Sequence, residues 1–377
     1  MNNKECSISY EHLAAFCREI LIQSGMPPTD AVIVADTLVE ADLRGYETHG
    51  VMRLGMYLER VKRGVMKADA KVTTLQDAGA VTVLDGDNGF GQITAFRALE
   101  AAALKAGQFG IGAAAIRNGG HVGALGILVE RIAMQKKIAI LLANTNPIIA
   151  PWGGRQAELG NNPIGIGIPR DKEAPLLIDM ALSITARGKI ILAARDNKPI
   201  PPGWAIDVNG RPTTDAAQAL LGTVLPMAMH KGYALALAFE ILSGVLTGAS
   251  FGRDVGFLMP PDYTKPLGMG HLAIVLDVET FMPYQIFAER LEVLVERIVS
   301  SPPADEDIPI RLPGDGSDAR RRKYMAEGIS LSRATWEELW KLSQEHGLPF
   351  GEKIKSLNLP KRRRNSDGEI EIAYQEV

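Results

Sequence analysis

Residues 110–116, Gly110-Ile111-Gly112-Ala113-Ala114-Ala115-Ile116, distinguish between two fold classes because they contain the pattern G-x-G-x-x-A. In a Rossmann dinucleotide-binding domain, this pattern follows a strand and opens a helix whose N-terminus receives the pyrophosphate. Here the order is reversed. The alanine-rich residues 93–106 predict a helix before the pattern, and residues 113–116 predict a strand within it. The sequence therefore argues against a Rossmann fold although it carries the fingerprint.

On both sides of this segment, helical and strand patterns alternate, which predicts an α/β protein. The first 65 residues predict three helices, with Ser7 or Ser9 able to cap the first and Thr48 the third. Residues 230–248 are the most apolar segment and predict a buried helix. Short apolar runs predict further strands at residues 81–84, 138–143, 164–168 and 272–276.

Length, charge and cysteine content exclude several classes of protein. The 377 residues predict two to three domains, and the formal net charge of -3 argues against a nucleic-acid-binding protein. The apolar runs are far shorter than the ~20 residues of a membrane helix, and residues 1–6 lack the apolar core of a signal peptide. Two cysteines, Cys6 and Cys17, cannot build a disulfide framework, so we expect a reducing cytoplasm.

The segment Arg44-Gly45-Tyr46-Glu47-Thr48-His49-Gly50-Val51-Met52-Arg53 combines a histidine and an arginine at helical spacing. If Thr48 caps a helix, then His49, Arg53 and Tyr57 share one face of it. Arg53 can hold a carboxylate with two hydrogen bonds, and His49 can transfer a proton with Thr48 as its hydrogen-bond partner. The same spacing also fits a surface histidine and a solvated arginine at a helix start, so spacing leaves both readings open.

Two further histidines stand at predicted turns. His121 lies between glycines in residues 118–126, which indicates close backbone approach to a ligand or a histidine that caps a backbone group. His230 and Lys231 begin a helix, where the helix dipole disfavours a cation unless an anion such as phosphate binds there. The histidine spacings resemble no zinc ligand pair, so we expect no metal site.

In this order the motifs resemble the malate/L-lactate dehydrogenase family, which includes ureidoglycolate, sulfolactate and diketogulonate enzymes. The resemblance covers roughly residues 8–350 and rests on the segments already quoted. It also rests on Asn144-Thr145-Asn146-Pro147, Pro151-Trp152-Gly153-Gly154, Gly160-Asn161-Asn162-Pro163, Ile178-Asp179-Met180-Ala181, Ala186-Arg187-Gly188-Lys189, Pro202-Gly203-Trp204-Ala205, Pro212-Thr213-Thr214-Asp215 and Pro313-Gly314-Asp315.

The resemblance implies an oxidoreductase that uses NAD or NADP to interconvert small 2-oxo and 2-hydroxy acids, working as a homodimer. The implied fold is α/β and not Rossmann: a largely antiparallel sheet binds the nicotinamide cofactor, and both chain ends form a helical domain. We therefore expect an N-terminal helical segment at 1–70, a cofactor-binding domain at 71–280, a C-terminal helical segment at 281–350 and a disordered tail at 351–377.

The resemblance also implies roles for individual residues. His49 would be the proton donor, Thr48 its supporting hydroxyl and Arg53 the clamp for the substrate carboxylate. Asn161 would stand near the substrate, at a position where the family commonly has threonine, and the spacing adds Tyr57. The residues expected to line the cofactor are His121, Val122, Gly123, Ala124, Leu125, Asp179, Met180, Ala181, Arg187, Gly188, His230, Lys231, Gly314 and Asp315.

Two alternatives remain. Cyclic-imine reductases of this family, which act on piperideine- or pyrroline-2-carboxylate, carry an aspartate where this chain has Lys189, so the lysine favours the hydroxy acids. A non-catalytic dinucleotide-binding relative, with an interaction role for the basic tail, is the other, and the intact set of Thr48, His49 and Arg53 argues against it. We expect neither a nucleic acid nor a membrane as a partner.

Overall fold

A computed structural model describes residues 7–258, 263–350, 361–364 and 370–373 of the chain. The chain forms two compact units. The first combines the described residues of Met1–Gly55 with those of Arg320–Val377, and the second is formed by the described residues of Met56–Ala319. The first unit is therefore built from both ends of the chain, as the fold prediction requires.

The helices in chain order are α1 (Tyr10–Gln23), α2 (Pro28–Leu43), α3 (Leu54–Lys62), α4 (Gly91–Phe109), α5 (Leu125–Ala133), α6 (Arg187–Arg195), α7 (Ala216–Leu221), α8 (His230–Glu240), α9 (Val278–Phe281), α10 (Tyr284–Val299), α11 (Asp315–Glu327) and α12 (Arg333–His346). The strands are β1 (Ser7–Ile8), β2 (Thr73–Ala78), β3 (Val81–Asp85), β4 (Ile111–Gly119), β5 (Lys137–Ala143), β6 (Ile164–Ile168), β7 (Leu176–Met180), β8 (Ala205–Ile206), β9 (Pro212–Thr213), β10 (Thr223–Val224), β11 (Met269–Asp277), β12 (Ile329–Ser330), β13 (Lys361–Arg364) and β14 (Ile370–Ala373).

The first unit has α1 and α2 at its centre. The two helices pack on each other, and their apolar side chains, among them Leu13 and Leu38, are fully buried. Ser9 caps α1, because its side chain accepts a hydrogen bond from the backbone N–H of His12. The two ends of the chain are joined in this unit by the antiparallel pairing of β1 with β12.

The second unit is organised around a sheet. Within its described residues, seven strands follow the order β2-β3-β4-β11-β5-β6-β7. β3 and β4 run parallel, and every other neighbouring pair in this sheet is antiparallel. An apolar core of alanine, leucine, isoleucine and valine lies between the sheet and helices α4 and α5. The predicted fold class, α/β with a largely antiparallel sheet, is confirmed.

Both glycines of the G-x-G-x-x-A pattern have structural roles in this fold. Gly110 ends α4 with a φ of +80°, and its N–H donates to the carbonyl of Ala106, as in many helix C-termini. Gly112 lies in β4 against the backbone of α4, where a Cβ atom would collide with the carbonyl oxygen of Ala102. A helix precedes the pattern and a strand contains it, so the prediction against a Rossmann arrangement is confirmed.

The apolar segment at residues 230–248 differs from its prediction as one buried helix. α8 ends at Glu240 and continues as a π-helical turn over Ile241–Val245. Its buried residues are Gly232, Ala236 and Glu240, whereas Leu235 is 45% exposed. Apolar composition alone does not reveal how much of a helix surface the rest of the chain covers. In α8 the rest of the chain covers only one narrow side.

The domain boundaries drawn from the sequence also differ from the observed units. Residues 281–319 belong to the second unit and not to a C-terminal helical segment. Packing is the reason, because Tyr284 and Ala288 of α10 are buried together with the start of α9. The side chains of Arg170 and Glu292 add an ion pair of 2.6 Å between the loop after β6 and α10.

The tail predicted as disordered at 351–377 falls mostly outside the described residues. Within it, β13 and β14 form an antiparallel pair in which Lys361 lies opposite Ala373. These two segments have regular structure instead of the expected disorder, because their backbone groups hydrogen-bond to each other, which composition does not reveal.

Candidate active site

The predicted site residues divide between the two units. Thr48, His49 and Arg53 belong to the first unit, and the remaining predicted residues belong to the second.

His49 lies in a compact turn and not in the first turn of an α-helix. The predicted helix after Thr48 begins only at Leu54, and two short 3-10 helices, Glu47–His49 and Val51–Arg53, precede it. Gly50 separates them with extended backbone (φ -88°, ψ -155°). The prediction that Thr48 caps a helix is therefore wrong, because this extended residue interrupts the helical hydrogen bonds.

The hydrogen bond predicted between Thr48 and His49 is present. The Thr48 hydroxyl is 3.0 Å from Nδ1 of His49, so the imidazole has a fixed partner on that nitrogen. The Arg53 Nε donates to the backbone carbonyl of Thr48 at 2.7 Å. Arg53 is thus hydrogen-bonded back to the start of its own turn. The side chains of Thr48, His49 and Arg53 are connected by contacts within residues 48–53.

The side chain of Asp42 binds the backbone of this turn, a contact that was not predicted from the sequence. Its Oδ2 accepts the backbone N–H of Val51 at 2.7 Å, and a Cβ on Gly50 would collide with its carboxylate. Asp42 is 3% exposed. Burial is the main reason that its pKa rises to about 8; the Val51 hydrogen bond opposes this rise, and the charge of Glu47 adds to it. The sequence does not single out Asp42, because α2 carries three further acidic residues that are not fully buried.

Electrostatics keep His49 neutral near pH 7. Burial of the ring, and secondly the positive charge of Arg53, lower the pKa of His49 to about 4. Helix α12 packs on the turn that carries Arg53. On this helix, burial raises the pKa of Glu338 more than the charges of Arg53 and Lys341 lower it.

In the second unit, Tyr57 contacts His121. The Tyr57 hydroxyl is 2.8 Å from Nδ1 of His121 and accepts a hydrogen bond from Nε2 of Gln92 at 3.2 Å. The contact with Tyr57 fixes the orientation of the His121 imidazole at Nδ1, and the contact with Gln92 fixes the Tyr57 hydroxyl. Tyr57, which the sequence placed on the substrate side, therefore orients a histidine of the predicted cofactor segment.

The loop that carries His121 leads into α5. Val122, Ala124 and Leu125 are buried, and Gly123 adopts a φ of +86°. The carboxylate of Asp179, at the end of β7, accepts the backbone N–H of Gly126 in the first turn of α5 at 2.8 Å. Burial raises the pKa of Asp179 to about 6 against the lowering effect of that hydrogen bond.

Two other predicted cofactor segments lie near β7 or at a helix start. Gly314, with a φ of +101°, contacts Leu177 of β7 just before Asp179, and the adjoining Asp315 begins α11. Arg187 and Gly188 begin α6, where the Arg187 Nη2 donates to the carbonyl of Leu220 at 3.0 Å. Of the residues after Asp179, Met180 is 41% exposed and Ala181 is partly buried.

His230 and Lys231 begin α8 and are exposed. The backbone before them is unusual, because Ala228 and Met229 have φ values of +48° and +58°. Non-glycine residues rarely adopt this conformation, and they concentrate at functional sites when they do. The His230 ring lies edge-on to Trp152, with ring centroids 6.0 Å apart.

These groups fit a dinucleotide cofactor. An exposed lysine at the positive end of α8 suits a pyrophosphate, and the partly buried carboxylate of Asp179 suits a ribose hydroxyl. Among the described residues, no three His, Cys, Asp or Glu side chains stand together as a metal-binding group.

Asn161 lies in a loop that is held by side-chain amides. The Thr145 hydroxyl donates to Oδ1 of Asn161 at 2.7 Å and accepts the Asn161 backbone N–H at 3.1 Å. The backbone carbonyl of Asn161 accepts the backbone N–H of Leu182, next to the predicted cofactor segment, at 2.7 Å. Its Oδ1 is therefore engaged within the protein, and its Nδ2 is the end that can donate to a ligand oxygen.

Comparison with known proteins identifies the family. A family model described as Malate/L-lactate dehydrogenase matches residues 8–340. An L-sulfolactate dehydrogenase of Methanothermobacter thermautotrophicus is 34% identical over 350 residues, which are 93% of this chain and 99% of that protein.

Solved structures agree with this result. A sulfolactate dehydrogenase from Methanocaldococcus jannaschii has a TM-score of 0.85 at 35% identity, covering 93% of this chain and 98% of that one. A delta1-piperideine-2-carboxylate reductase from Pseudomonas syringae pvar. tomato has a TM-score of 0.79 at 32% identity, covering 89% and 99%. The chain belongs to the malate/L-lactate dehydrogenase family. Its relatives include named dehydrogenases of hydroxy acids, and it is accordingly an enzyme of the hydroxy-acid dehydrogenase type.

Proposed function

We propose that this enzyme uses NAD(H) or NADP(H) to interconvert a small 2-oxo acid and the corresponding 2-hydroxy acid. The single observation that supports this most is the turn in which the Thr48 hydroxyl meets His49 Nδ1 at 3.0 Å and Arg53 binds the Thr48 carbonyl. It combines a proton-transfer group with a cation for a carboxylate, in a chain of the hydroxy-acid dehydrogenase family.

His49 is the proposed proton-transfer group. With Nδ1 engaged by Thr48, Nε2 is the nitrogen that faces the substrate oxygen. A pKa of about 4 means that the free imidazole is neutral at pH 7, ready to accept the hydroxyl proton during oxidation. In the reduction of a 2-oxo acid, His49 must first take up a proton, which a bound carboxylate beside Arg53 would favour by offsetting the positive charge.

Arg53 is the proposed carboxylate clamp. Its Nε is occupied by the Thr48 carbonyl, and the two Nη groups form the planar pair of donors that fits both oxygens of a carboxylate. Because a carboxylate is present before, during and after the reaction, this contact stabilises substrate and transition state alike.

The nicotinamide cofactor, when bound, supplies or accepts the hydride at C2 of the substrate. We propose that Lys231 and the first turn of α8 hold its pyrophosphate, and that Asp179 and Nε2 of His121 hydrogen-bond to its polar groups. The segments at Arg187 and Gly314 complete the proposed cofactor contacts.

A direct test measures turnover with a panel of 2-oxo acids and both reduced cofactors. His49→Ala should lower kcat by at least about 100-fold, as expected for the loss of an acid–base group, while the Kd of the reduced cofactor stays within about twofold. Arg53→Ala should mainly raise KM. The matched control is His346→Asn, which removes a partly exposed histidine paired with Gln23. Wild-type turnover in the His49 variant would refute the assignment.

A cyclic-imine reductase is the second candidate, and the structural similarity to a piperideine-2-carboxylate reductase favours considering it. Lys189, exposed in the first turn of α6, occupies the position where the imine reductases carry aspartate. Pyruvate and the cyclic imine assayed side by side distinguish the two, since the dominant kcat/KM identifies the substrate class. Cofactor binding without turnover on either would instead indicate a non-catalytic relative.

We propose that the enzyme works as a homodimer in a reducing cytoplasm. The dimer is supported by exposed apolar side chains on α8, on its π-helical extension and directly after it. Among them are Leu235, Ile241 and Leu246, which is 63% exposed. The compartment is supported by the small number of cysteines, of which Cys17 is buried and free. No helix in the described part of the chain combines the length and the apolar character of a membrane span.

A further inference from the structure

Glu240, the last residue of α8, is a buried carboxylate that is held by neutral groups alone among the contacts described. It is 4% exposed. Its Oε1 accepts hydrogen bonds from Nδ2 of Asn144 at 3.1 Å and from the backbone N–H of Gly252 at 2.9 Å. Its Oε2 accepts from Nδ2 of Asn162 at 2.7 Å. Both asparagines are fully buried.

The position of Glu240 is unfavourable on local grounds. A negative charge is disfavoured in a buried environment without a cation. The helix also changes to a π-helical turn directly after it, a distortion often found at functional sites. When a residue breaks local rules while its own hydrogen bonds are satisfied, the reason lies in what it holds in place.

Glu240 holds two loops through a continuous set of hydrogen bonds. Asn162, oriented by Glu240, uses its Oδ1 to accept the backbone N–H of Thr145 at 3.2 Å. Thr145 then fixes the side chain of Asn161 through its hydroxyl at 2.7 Å. Asn144, the second partner of Glu240, is locked at its other end by the backbone N–H of Gly270 at 2.8 Å. Three hydrogen bonds thus separate the Glu240 carboxylate from the amide of Asn161.

The backbone at the loop agrees with an imposed conformation. Asn162 has a φ of +31°, a value that non-glycine residues rarely adopt. Its side chain is saturated, because Nδ2 also donates to the carbonyl of Ala236 in α8 at 2.9 Å. Contacts to α8 therefore determine the orientation of Asn162, and through it that of the neighbouring Asn161.

We propose that Glu240 is a positioning residue that directs the Nδ2 group of Asn161 to the substrate. This role rests on the proposed function and on the expectation from the family resemblance that Asn161 stands near the 2-oxo acid. A carboxylate is required because all its three partners are N–H donors. A glutamine at position 240 would turn its own NH2 group toward Asn162 or toward Asn144 and Gly252, which would break the set at one end.

The test compares kcat, KM for a 2-oxo acid and the Kd of the reduced cofactor in wild type, Glu240→Gln, Thr145→Val, Thr145→Ser and Asn161→Ala. We expect Glu240→Gln and Thr145→Val to raise KM by about 10-fold or more, with the Kd of the cofactor unchanged within about twofold. Thr145→Ser retains the hydroxyl and should recover a wild-type KM. Glu289→Gln, an exposed glutamate on α10 that is hydrogen-bonded to Gln285, is the matched control.

A double variant tests whether Glu240 acts on the substrate through Asn161. If Glu240 acts through Asn161, Glu240→Gln combined with Asn161→Ala should raise KM no further than Asn161→Ala alone. If Glu240→Gln does not fold, Glu240→Asp, whose shorter side chain withdraws the carboxylate from Asn162, replaces it in both comparisons. An active wild type in which these variants have normal KM, or in which the effects multiply, overturns the inference and leaves the proposed function intact. A wild type that reduces no 2-oxo acid overturns the proposed function and this role with it.

Discussion

Replacing Asp42 by asparagine should change how the stability of the enzyme depends on pH. Asp42 is 3% exposed, and burial raises its pKa from 3.8 to about 8. In the unfolded chain the same carboxyl ionises with an ordinary pKa. Between these two values the native state therefore holds one proton more than the unfolded state, and the free energy of unfolding falls as the pH rises.

The magnitude follows from the slope. One extra bound proton corresponds to a loss of about 1.4 kcal/mol per pH unit, so Asp42 should remove about 2.5 kcal/mol of stability between pH 5 and pH 7. Asparagine cannot titrate, but its Oδ1 can still accept the Val51 N–H that now binds Oδ2. The turn that carries His49 should therefore survive, while this pH dependence disappears.

Urea unfolding of wild type and Asp42→Asn at pH 5, 6 and 7, at one protein concentration, measures this difference. The difference between the two free energies of unfolding should move by about 2.5 kcal/mol across the range, in favour of the variant at higher pH. Asp69→Asn, which changes an exposed carboxyl, should run parallel to wild type. Parallel curves for Asp42→Asn would show that this carboxyl titrates normally and would refute the reasoning.

Three further changes test other parts of the structure. Burial first and the charge of Arg53 second lower the pKa of His49 from 6.5 to about 4. Arg53→Gln removes only the second cause, so the ring should titrate at a higher pH by NMR but still below 6.5; an unmoved pKa would contradict this. Ala228→Gly should stabilise the protein by about 1 kcal/mol in urea unfolding, since glycine adopts the φ of +48° without strain; a loss of stability would contradict it. Gly112→Ala should destabilise by about 1–3 kcal/mol, because its Cβ would collide with the Ala102 carbonyl, and unchanged stability would mean that α4 can move away.

Sequence patterns predicted the elements whose signals are local. The helix before Gly110 and the strand after it follow from periodicity and from a glycine suited to a helix end, and both are present. The bounds of β6 (Ile164–Ile168) were likewise predicted to the residue. The contact between Thr48 and His49 was also within reach, because the two residues are neighbours in the chain.

Other features of the site depend on residues far apart in sequence. The start of α3 was misplaced because Asp42 binds the backbone nine residues later, at Val51, and Gly50 interrupts the helix between them. The exposed side of α8 could not be predicted, because apolar composition does not state which surface is covered.

The sequence by itself determined the fold class, the family and the residue types that can transfer a proton and bind a carboxylate, since these depend on local periodicity and on ordered motifs. The tertiary structure alone decided that Tyr57 orients His121, that Asp42 supports the His49 turn and that Glu240 holds the loop of Asn161. The physical reason is that burial and hydrogen bonding join groups far apart in sequence, such as Asn144 and Gly270, which are 126 residues apart, and no local pattern encodes such a pairing.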